Sequence, residues 1–394
     1  MSLFKLPSLQ KIDIFACAQC GYCVKKCPVY NVVNWESYSP RGRLYLLKQL
    51  QEENKSFIGK LVSKDKLDIK EVVQRIYDCA ICGRCEVACH LELNLPTLWA
   101  KAREAFFSMG VAPQLLTQVE TTILSRKNVF GMDAESRGDW VIYTGVDAPV
   151  KKDAEIAYFV GCVTSYSGRV QSVAQAIASI LNHVGANWTL LDGEWCCGHP
   201  LYVSGAVSKY RELAEHNVKT IKSTGAKIVV TGCPGCRLAL AEEYPAILGY
   251  KPDFEVLHFT QLLDRLIAEG KIKVEKSEDP VTYHDPCELA RLGGVIEQPR
   301  RVISALASKF VEPLERGREG MCCGSGGMLK ATNPTLSATI AEMRLNSLLN
   351  TGVNTVLSAC PTCDQSLAEA AVKAQKNVRI VDLTQLLAER LGLM

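Results

Sequence analysis

From Glu155 to the C-terminus, short apolar runs alternate with stretches of helical spacing. Ile156-Ala-Tyr-Phe-Val160 predicts a buried strand ending at Gly161-Cys162, and Val170, Ala174, Ile177 and Leu181 then mark one face of a helix. Lys227-Ile-Val-Val-Thr231 predicts the next strand, running into Gly232-Cys233 and a helix through Leu238 and Leu240. The order returns in Val281-Thr-Tyr-His284, a helix from Asn333 to Leu349, and Thr355-Val-Leu-Ser358. Such alternation predicts parallel α/β units, in which ligands sit outside the carboxyl ends of the strands. Upstream the pattern is helical. Pro40 to Leu50 and Asp68 to Asp78 read as helices; in the second, Ile69, Val72, Val73 and Ile76 form the apolar stripe and Asp68 the N-cap. Leu98 to Phe107 extends this helical part, whereas residues 111–150, with Gly, Pro and Asp, predict an irregular linker. The expected fold class is α+β and α/β: an α-helical domain over 1–110, a linker over 111–150, and α/β domains over 151–275 and 276–394.

The two α/β domains repeat each other. Cys162, Cys196-Cys197-Gly198, Cys233 and Cys236 return in the same order as Cys287, Cys322-Cys323-Gly324, Cys360 and Cys363. The surroundings return too: Lys227 to Cys233 parallels Asn354 to Cys360, and Thr260-Gln-Leu-Leu parallels Thr384-Gln-Leu-Leu. This is an internal duplication whose fixed points are thiols.

Composition sharpens that point. The 394 residues contain 18 cysteines, and each falls into a motif. Met1-Ser-Leu-Phe-Lys-Leu-Pro lacks the basic and apolar regions of a signal peptide, and no run approaches the roughly 18 apolar residues of a bilayer span. The chain reads as cytoplasmic, where clustered cysteines favour metal over disulfides. The formal charge of +3 counts thiols as neutral; two oxidised all-cysteine cubanes, each about −2, would reverse its sign. Nothing resembles a basic nucleic-acid face, and no flavin or nucleotide fingerprint is present, so hydride chemistry belongs to a partner.

The eight N-terminal cysteines form two ferredoxin-type runs. Cys17, Cys20, Cys23 and Cys27-Pro28 follow C-x2-C-x2-C-x3-C-P, and Cys79, Cys82, Cys85 and Cys89 repeat the spacing. In such runs three cysteines wrap one cubane and the fourth ligates the other. The assignment is Cys17, Cys20, Cys23 and Cys89 to one cubane, with Cys79, Cys82, Cys85 and Cys27 to the second. Gly21 and Gly83 leave room for backbone beside inorganic sulfide. A pair of zinc sites is the alternative for C-x2-C spacing. Cys89 is followed by His90 rather than proline; His90 is either a solvated loop residue or an N–H donor to cluster sulfur.

Each C-terminal set holds five thiols, one more than a cubane takes, and two are adjacent in sequence. Adjacent sulfurs can bridge or cap neighbouring irons, so five ligands suggest a rearranged cluster with an open iron. Zinc with spare thiols, or a redox pair at Cys196-Cys197, are the alternatives. Gly324, Gly326 and Gly327 suit close backbone approach to a cluster and leave space beside Cys322-Cys323; their spacing is not a phosphate loop. His199 and His284 lie near cluster cysteines and are candidate proton donors; Arg291, Glu194 and Lys330 are weaker candidates.

Two ferredoxin runs followed by two Cys-Cys-Gly domains resemble the heterodisulfide reductase D subunit over residues 14–394. The layout is also similar to iron–sulfur subunits of glycolate oxidase, anaerobic glycerol-3-phosphate dehydrogenase and lactate-utilisation systems; Ser39-Pro40-Arg41-Gly42-Arg43-Leu44 resembles that branch. The resemblance implies a noncubane [4Fe–4S] cluster on Cys162, Cys196, Cys197, Cys233 and Cys236. It implies another on Cys287, Cys322, Cys323, Cys360 and Cys363. It also implies a multi-subunit oxidoreductase with a flavoprotein partner and a further, quinone-linked subunit at a membrane. Either this chain cleaves a disulfide, with Cys322, Cys323, His284 and His199 as catalytic residues, or it only conducts electrons. Anaerobically prepared protein is expected to hold about 16 iron and 16 sulfide, four clusters of four irons; stoichiometric zinc with about half that iron would overturn the noncubane assignment.

Overall fold

Among the described residues, 14–53 and 67–394 of a computed structural model, seven short strands form two parallel sheets. The N-terminal stretch read above for a leader lies outside the described residues. The strands are β1 (Ile156–Tyr158), β2 (Trp188–Leu190), β3 (Ile228–Thr231), β4 (Glu255–His258), β5 (Thr282–Tyr283), β6 (Thr355–Ser358) and β7 (Arg379–Asp382). Their order is β2-β1-β3-β4 in one sheet and β5-β6-β7 in the other. Ile156 pairs with both Trp188 and Ile228, and Thr282 with Val356. The second repeat lacks a full counterpart of β2: its segment meets the sheet only through the bridges Ser277–Ala307 and Val281–Phe310.

The repeated Thr-Gln-Leu-Leu has a local cause. It opens the helices Phe259–Ala268 and Leu383–Arg390, and each helix start is closed by a capping box, His258 with Gln261 and Asp382 with Gln385. The sheets of both repeats share one apolar core, in which Val173, Ile177, Leu263, Val302 and Leu387 are buried together. Residues 111–150 differ from expectation. They carry the helices Gln114–Arg126 and Asp139–Thr144. Leu116, Ile123 and Trp140 are buried, but polar residues between them leave a stripe too sparse to recognise in the sequence.

By compactness the chain divides into two units. One holds the described residues up to Gln118 together with Pro200–Val207 and Gly324–Ile340; the other holds Val119–His199, Ser208–Cys323 and Ala341–Met394. The first unit is built on the helices Pro40–Glu53, Ile69–Tyr77 and Leu95–Ser108. Asp68 caps the middle helix as expected, its carboxylate accepting from Lys70 N at 2.9 Å. Leu47, Ile76, Leu98, Ala102 and Phe106 form the core, and Val203 and Met328, from the two returning segments, pack into it. Arg103 binds those segments, donating to the carbonyls of Val203 and Gly327 at 2.7 Å each.

The returning segment 200–207 fits only because Gly205 has no side chain. Its φ is +89°, and a Cβ there would lie 2.4 Å from the Arg103 carbonyl. Gly205→Ala is expected to cost roughly 3 kcal/mol or more, from left-handed strain plus overpacking. Gly249 has φ +82°, but a Cβ added there would meet nothing within 4 Å. Gly249→Ala should therefore cost only about 1 kcal/mol of strain. Urea midpoints of the two variants check the difference.

Candidate iron–sulfur sites

In the helical unit the cysteines fall on two tight loops. Gly21 and Gly83 adopt φ +84° and +75° just before the short helices Tyr22–Lys26 and Arg84–Val87, which turns Cys23 and Cys85 back over their loops. Cys27, Cys79, Cys82 and Cys85 line one cavity with Arg43 and Trp99, so the fourth cysteine of the first run lies with the first three of the second. All four are buried, whereas Cys20 is exposed and Cys17, Cys23 and Cys89 are half-buried. His90 reaches Cys20, its Nδ1 3.7 Å from Sγ.

In the α/β unit each cysteine set gathers where strands end. Cys162 starts the helix that follows β1, and Cys233 caps the helix after β3 that carries Cys236. Gly161, at φ +81°, makes the approach possible, since a Cβ there would lie 3.0 Å from Cys236 Sγ. Cys196-Cys197 sits on a loop anchored by Cys196 N donating to Lys127 O at 2.7 Å and by Asn217 Nδ2 donating to Cys196 O at 3.1 Å. Glu194, a weak candidate in the sequence, is buried behind this set. It accepts from Val160 N at 2.7 Å, Gly161 N at 3.0 Å and Arg137 Nη1 at 2.7 Å. Arg137 Nη2 points at Cys162 Sγ, 3.5 Å away. Glu194 therefore orients the loop and the arginine rather than reaching the thiols itself.

The second set repeats the plan. Cys287 Sγ lies 3.9 Å from Cys322 Sγ, and Cys323 Sγ lies 3.3 Å from Cys363 Sγ. Cys360 caps the helix after β6, its sulfur accepting from Cys363 N at 3.4 Å. His284 joins this set: one ring nitrogen and the sulfurs of Cys323 and Cys363 all lie within 4.8 Å of one another. Arg344 Nε, a donor at any ordinary pH, reaches His284 Nδ1 at 3.0 Å. Nδ1 must accept, so the proton sits on Nε2, which has no other hydrogen-bond partner.

His199 stands between the two sets. Its Nδ1 is 2.7 Å from Glu243 and its Nε2 3.2 Å from Glu288, the residue after Cys287. Burial opposes the charge of His199, but the two carboxylates outweigh it and hold the imidazole well above its ordinary range. Tyr210 donates to the other oxygen of Glu243 at 2.5 Å. Glu243, Glu288, Tyr210 and Arg344 carried no motif in the sequence. Arg291 is engaged by the carbonyls of Arg318, at 3.0 Å, and Gly320, and Lys330 lies in the helix Leu329–Thr332. The glycines read as free space beside Cys322-Cys323 are filled by packing. A Cβ at Gly324 would lie 2.7 Å from Ser337 O, and one at Gly327 would lie 2.7 Å from Cys79 O.

The donor set fits iron–sulfur clusters. All 18 cysteines are free thiols. Burial, then neighbouring Cys82, pushes the Cys85 thiol well up; hydrogen bonds with Cys197 and Cys233, then burial, do the same to Cys236. Thiolates so crowded need a soft cationic centre, and iron–sulfur clusters supply one. A helical unit with two ferredoxin loops, followed by two five-thiol pockets on parallel sheets, defines an iron–sulfur electron-transfer protein.

Relatives bear this out. A 4Fe-4S dicluster domain matches residues 13–93, and a cysteine-rich domain matches residues 156–241 and 281–368. The chain is 34% identical over 400 residues to the D subunit of dihydromethanophenazine:CoB–CoM heterodisulfide reductase from Methanosarcina acetivorans, spanning 98% of this chain and 96% of the relative. The chain belongs to the heterodisulfide reductase D family. It is also 27% identical to an EtfAB:quinone oxidoreductase of Syntrophomonas wolfei, over 95% of this chain and 58% of that protein. A crystal structure of a Helicobacter pylori protein shares the fold, with a TM-score of 0.59 at 10% identity over 90% of this chain and 68% of that one. No helix among the described residues is long and apolar enough to cross a membrane.

If the fourth cysteine of each run serves the other's cluster, Cys27→Ser should perturb the cluster that Cys79, Cys82 and Cys85 would hold, although Cys27 belongs to the other run. Paramagnetic resonance of the reduced variant checks this, and a change confined to the cluster of Cys17, Cys20 and Cys23 would contradict the crossed assignment.

Proposed function

We propose that this iron–sulfur subunit reduces a small organic disulfide at its second five-cysteine set. Cys17, Cys20, Cys23 and Cys89 would hold one cubane, and Cys27, Cys79, Cys82 and Cys85 the other. The two five-cysteine sets would hold noncubane clusters. Bound clusters would supply one-electron transfer and, at an open iron, a soft site for sulfur. The reaction consumes two electrons and two protons: the S–S bond breaks and two thiols form. Electrons would come from a flavoprotein partner, or from a quinone-linked subunit at a membrane.

The observation that carries this reading is the pairing of two complete five-thiol pockets with two proton-bearing imidazoles. His284 keeps an N–H at Nε2, held in that tautomer by Arg344, and one of its ring nitrogens lies within 4.8 Å of the sulfurs of Cys323 and Cys363. His199 keeps its protons between Glu243 and Glu288 and would release one to a leaving thiolate. The second set is favoured as the reacting one, at Cys322 and Cys323, because His284 has no counterpart: Phe159 stands three residues before Cys162.

A small thiol added to the oxidised protein should produce a paramagnetic signal that broadens when the thiol carries sulfur-33, since a new Fe–S bond alters the cluster's spin state. Substituting Cys322 or Cys323 should abolish it. Loss only on substituting Cys196 or Cys197 would move the reaction to the first set. Four clusters present with no thiol-dependent broadening would make the chain a conduit between protein partners.

A further inference from the structure

Arg43 lines one of the cubane positions and Arg103 holds the backbone beside it, and among the described residues neither forms an ion pair. Arg43 is 1% exposed and Arg103 is 0% exposed. Arg43 donates from Nε to Arg75 O and from Nη2 to Asp78 O, both at 2.6 Å, and its Nη1 lies 3.9 Å from Cys27 Sγ. Arg103 donates to the carbonyls of Ile76 at 3.1 Å, Tyr77 at 3.2 Å and Cys79 at 2.6 Å, besides Val203 and Gly327. Among the described residues no carboxylate lies within ion-pair distance of either. Asp78 is the acid of this network, and its side chain instead accepts from Asn333 Nδ2 at 2.9 Å.

Capping explains part of this. The helix Ile69–Tyr77 ends here, and its last carbonyls need donors. Neutral side chains would serve that purpose, whereas a buried charge without a counter-charge costs several kcal/mol. Two cations in one interior imply local anions: Asp78 is one, and the four thiols of Cys27, Cys79, Cys82 and Cys85 share a cavity with Arg43 while Arg103 holds the Cys79 carbonyl. Burial pulls both guanidiniums down; beside Arg43 the sulfurs of Cys79 and Cys27 outweigh it, whereas Arg103 stays below its ordinary range.

The exposed position is different. Its nearby Arg41 reaches Gln19 O at 3.1 Å but is paired with Glu36 at 2.7 Å, and Cys20 is open to solvent. Burial alone would make the inner cubane the harder one to reduce, since reduction adds negative charge to a low-dielectric site. Fixed positive charges act the other way.

We propose that Arg43 and Arg103 are counter-charges that raise the reduction potential of the cluster on Cys27, Cys79, Cys82 and Cys85 above that of the exposed cubane. An electron entering the helical unit therefore settles on the inner position. This rests on the two-cubane assignment above and adds the order of their potentials.

The test is an anaerobic redox titration of the full chain, with all clusters loaded, followed by paramagnetic resonance. The two cubane signals are assigned with Cys20→Ser, which alters only the exposed set. In the unaltered protein the inner cubane should have the higher midpoint; the reverse order overturns the proposal. Arg43→Gln should lower the inner midpoint so that its reduced-to-oxidised ratio at fixed potential falls about tenfold, equivalent to about 59 mV for one electron. The outer cubane should stay put, and Arg43→Lys should restore most of the ratio. An unmoved inner midpoint in Arg43→Gln, accompanied only by a lower melting temperature, would leave the arginines as helix caps and defeat the inference. Arg103→Gln is a weaker probe because loss of its many hydrogen bonds threatens folding; the order of potentials in the unaltered protein decides the matter without it. Iron analysis separates the two failures: zinc or missing iron at these cysteines defeats the cubane reading, whereas two intact cubanes in the wrong order defeat only this one.

Discussion

Crowding thiolates inside a protein is costly, and the way this chain meets that cost organises the rest of it. A buried thiol resists ionisation, and each neighbouring thiolate makes ionisation harder still. Soft metal centres are one remedy. The others are built from the chain: Arg137 beside Cys162, Arg43 beside Cys27, and His284 near Cys323. Each of these groups is itself buried, so each needs a support of its own. Glu194 holds Arg137, and Arg344 fixes His284. The charged residues of the interior are thus arranged in shells around the cysteines.

The duplication supplied the frame, and the two copies have since diverged around it. Both place cysteines after parallel strands and before short helices, where the backbone turns sharply and N–H groups are free. The copies differ in their flanks. The second sheet is one strand narrower, with only isolated bridges where β2 would lie. The second pocket has His284 and Glu288 where the first has Phe159 and Val163. Glu288 then reaches back to His199 of the first copy, so one acid serves the space between the sets.

The cysteines were legible in the sequence because metal ligation imposes short, fixed spacings on a rare residue type. The same holds for strands such as Thr355–Ser358, whose apolar run leads into Cys360. Residues that act through backbone carbonyls left no such trace. Arg43 lay in a motif noted only for resemblance, and Arg103 and Arg344 lay in no motif at all. Their partners are carbonyls or a histidine distant in the chain. β2 and β4 escaped notice because three or four residues, one or two of them polar, make too weak a pattern. The glycines after Cys323 were recognised as permitting close approach, but what approaches is backbone of the helical unit. Spacing reveals that something must come close; it does not reveal what.

The chain leaves the α/β unit directly after each Cys-Cys pair, visits the helical unit, and returns. This itinerary bears on biosynthesis. The loop that begins at Cys79 is made early, yet its neighbours Val203 and Gly327 emerge from the ribosome much later. Domains usually fold as units in the order of synthesis. Here the first-made unit stays incomplete until most of the polypeptide exists. The bonds from Arg103 to Val203 and Gly327 are therefore among the last of that unit to form, and a helix made early waits for them.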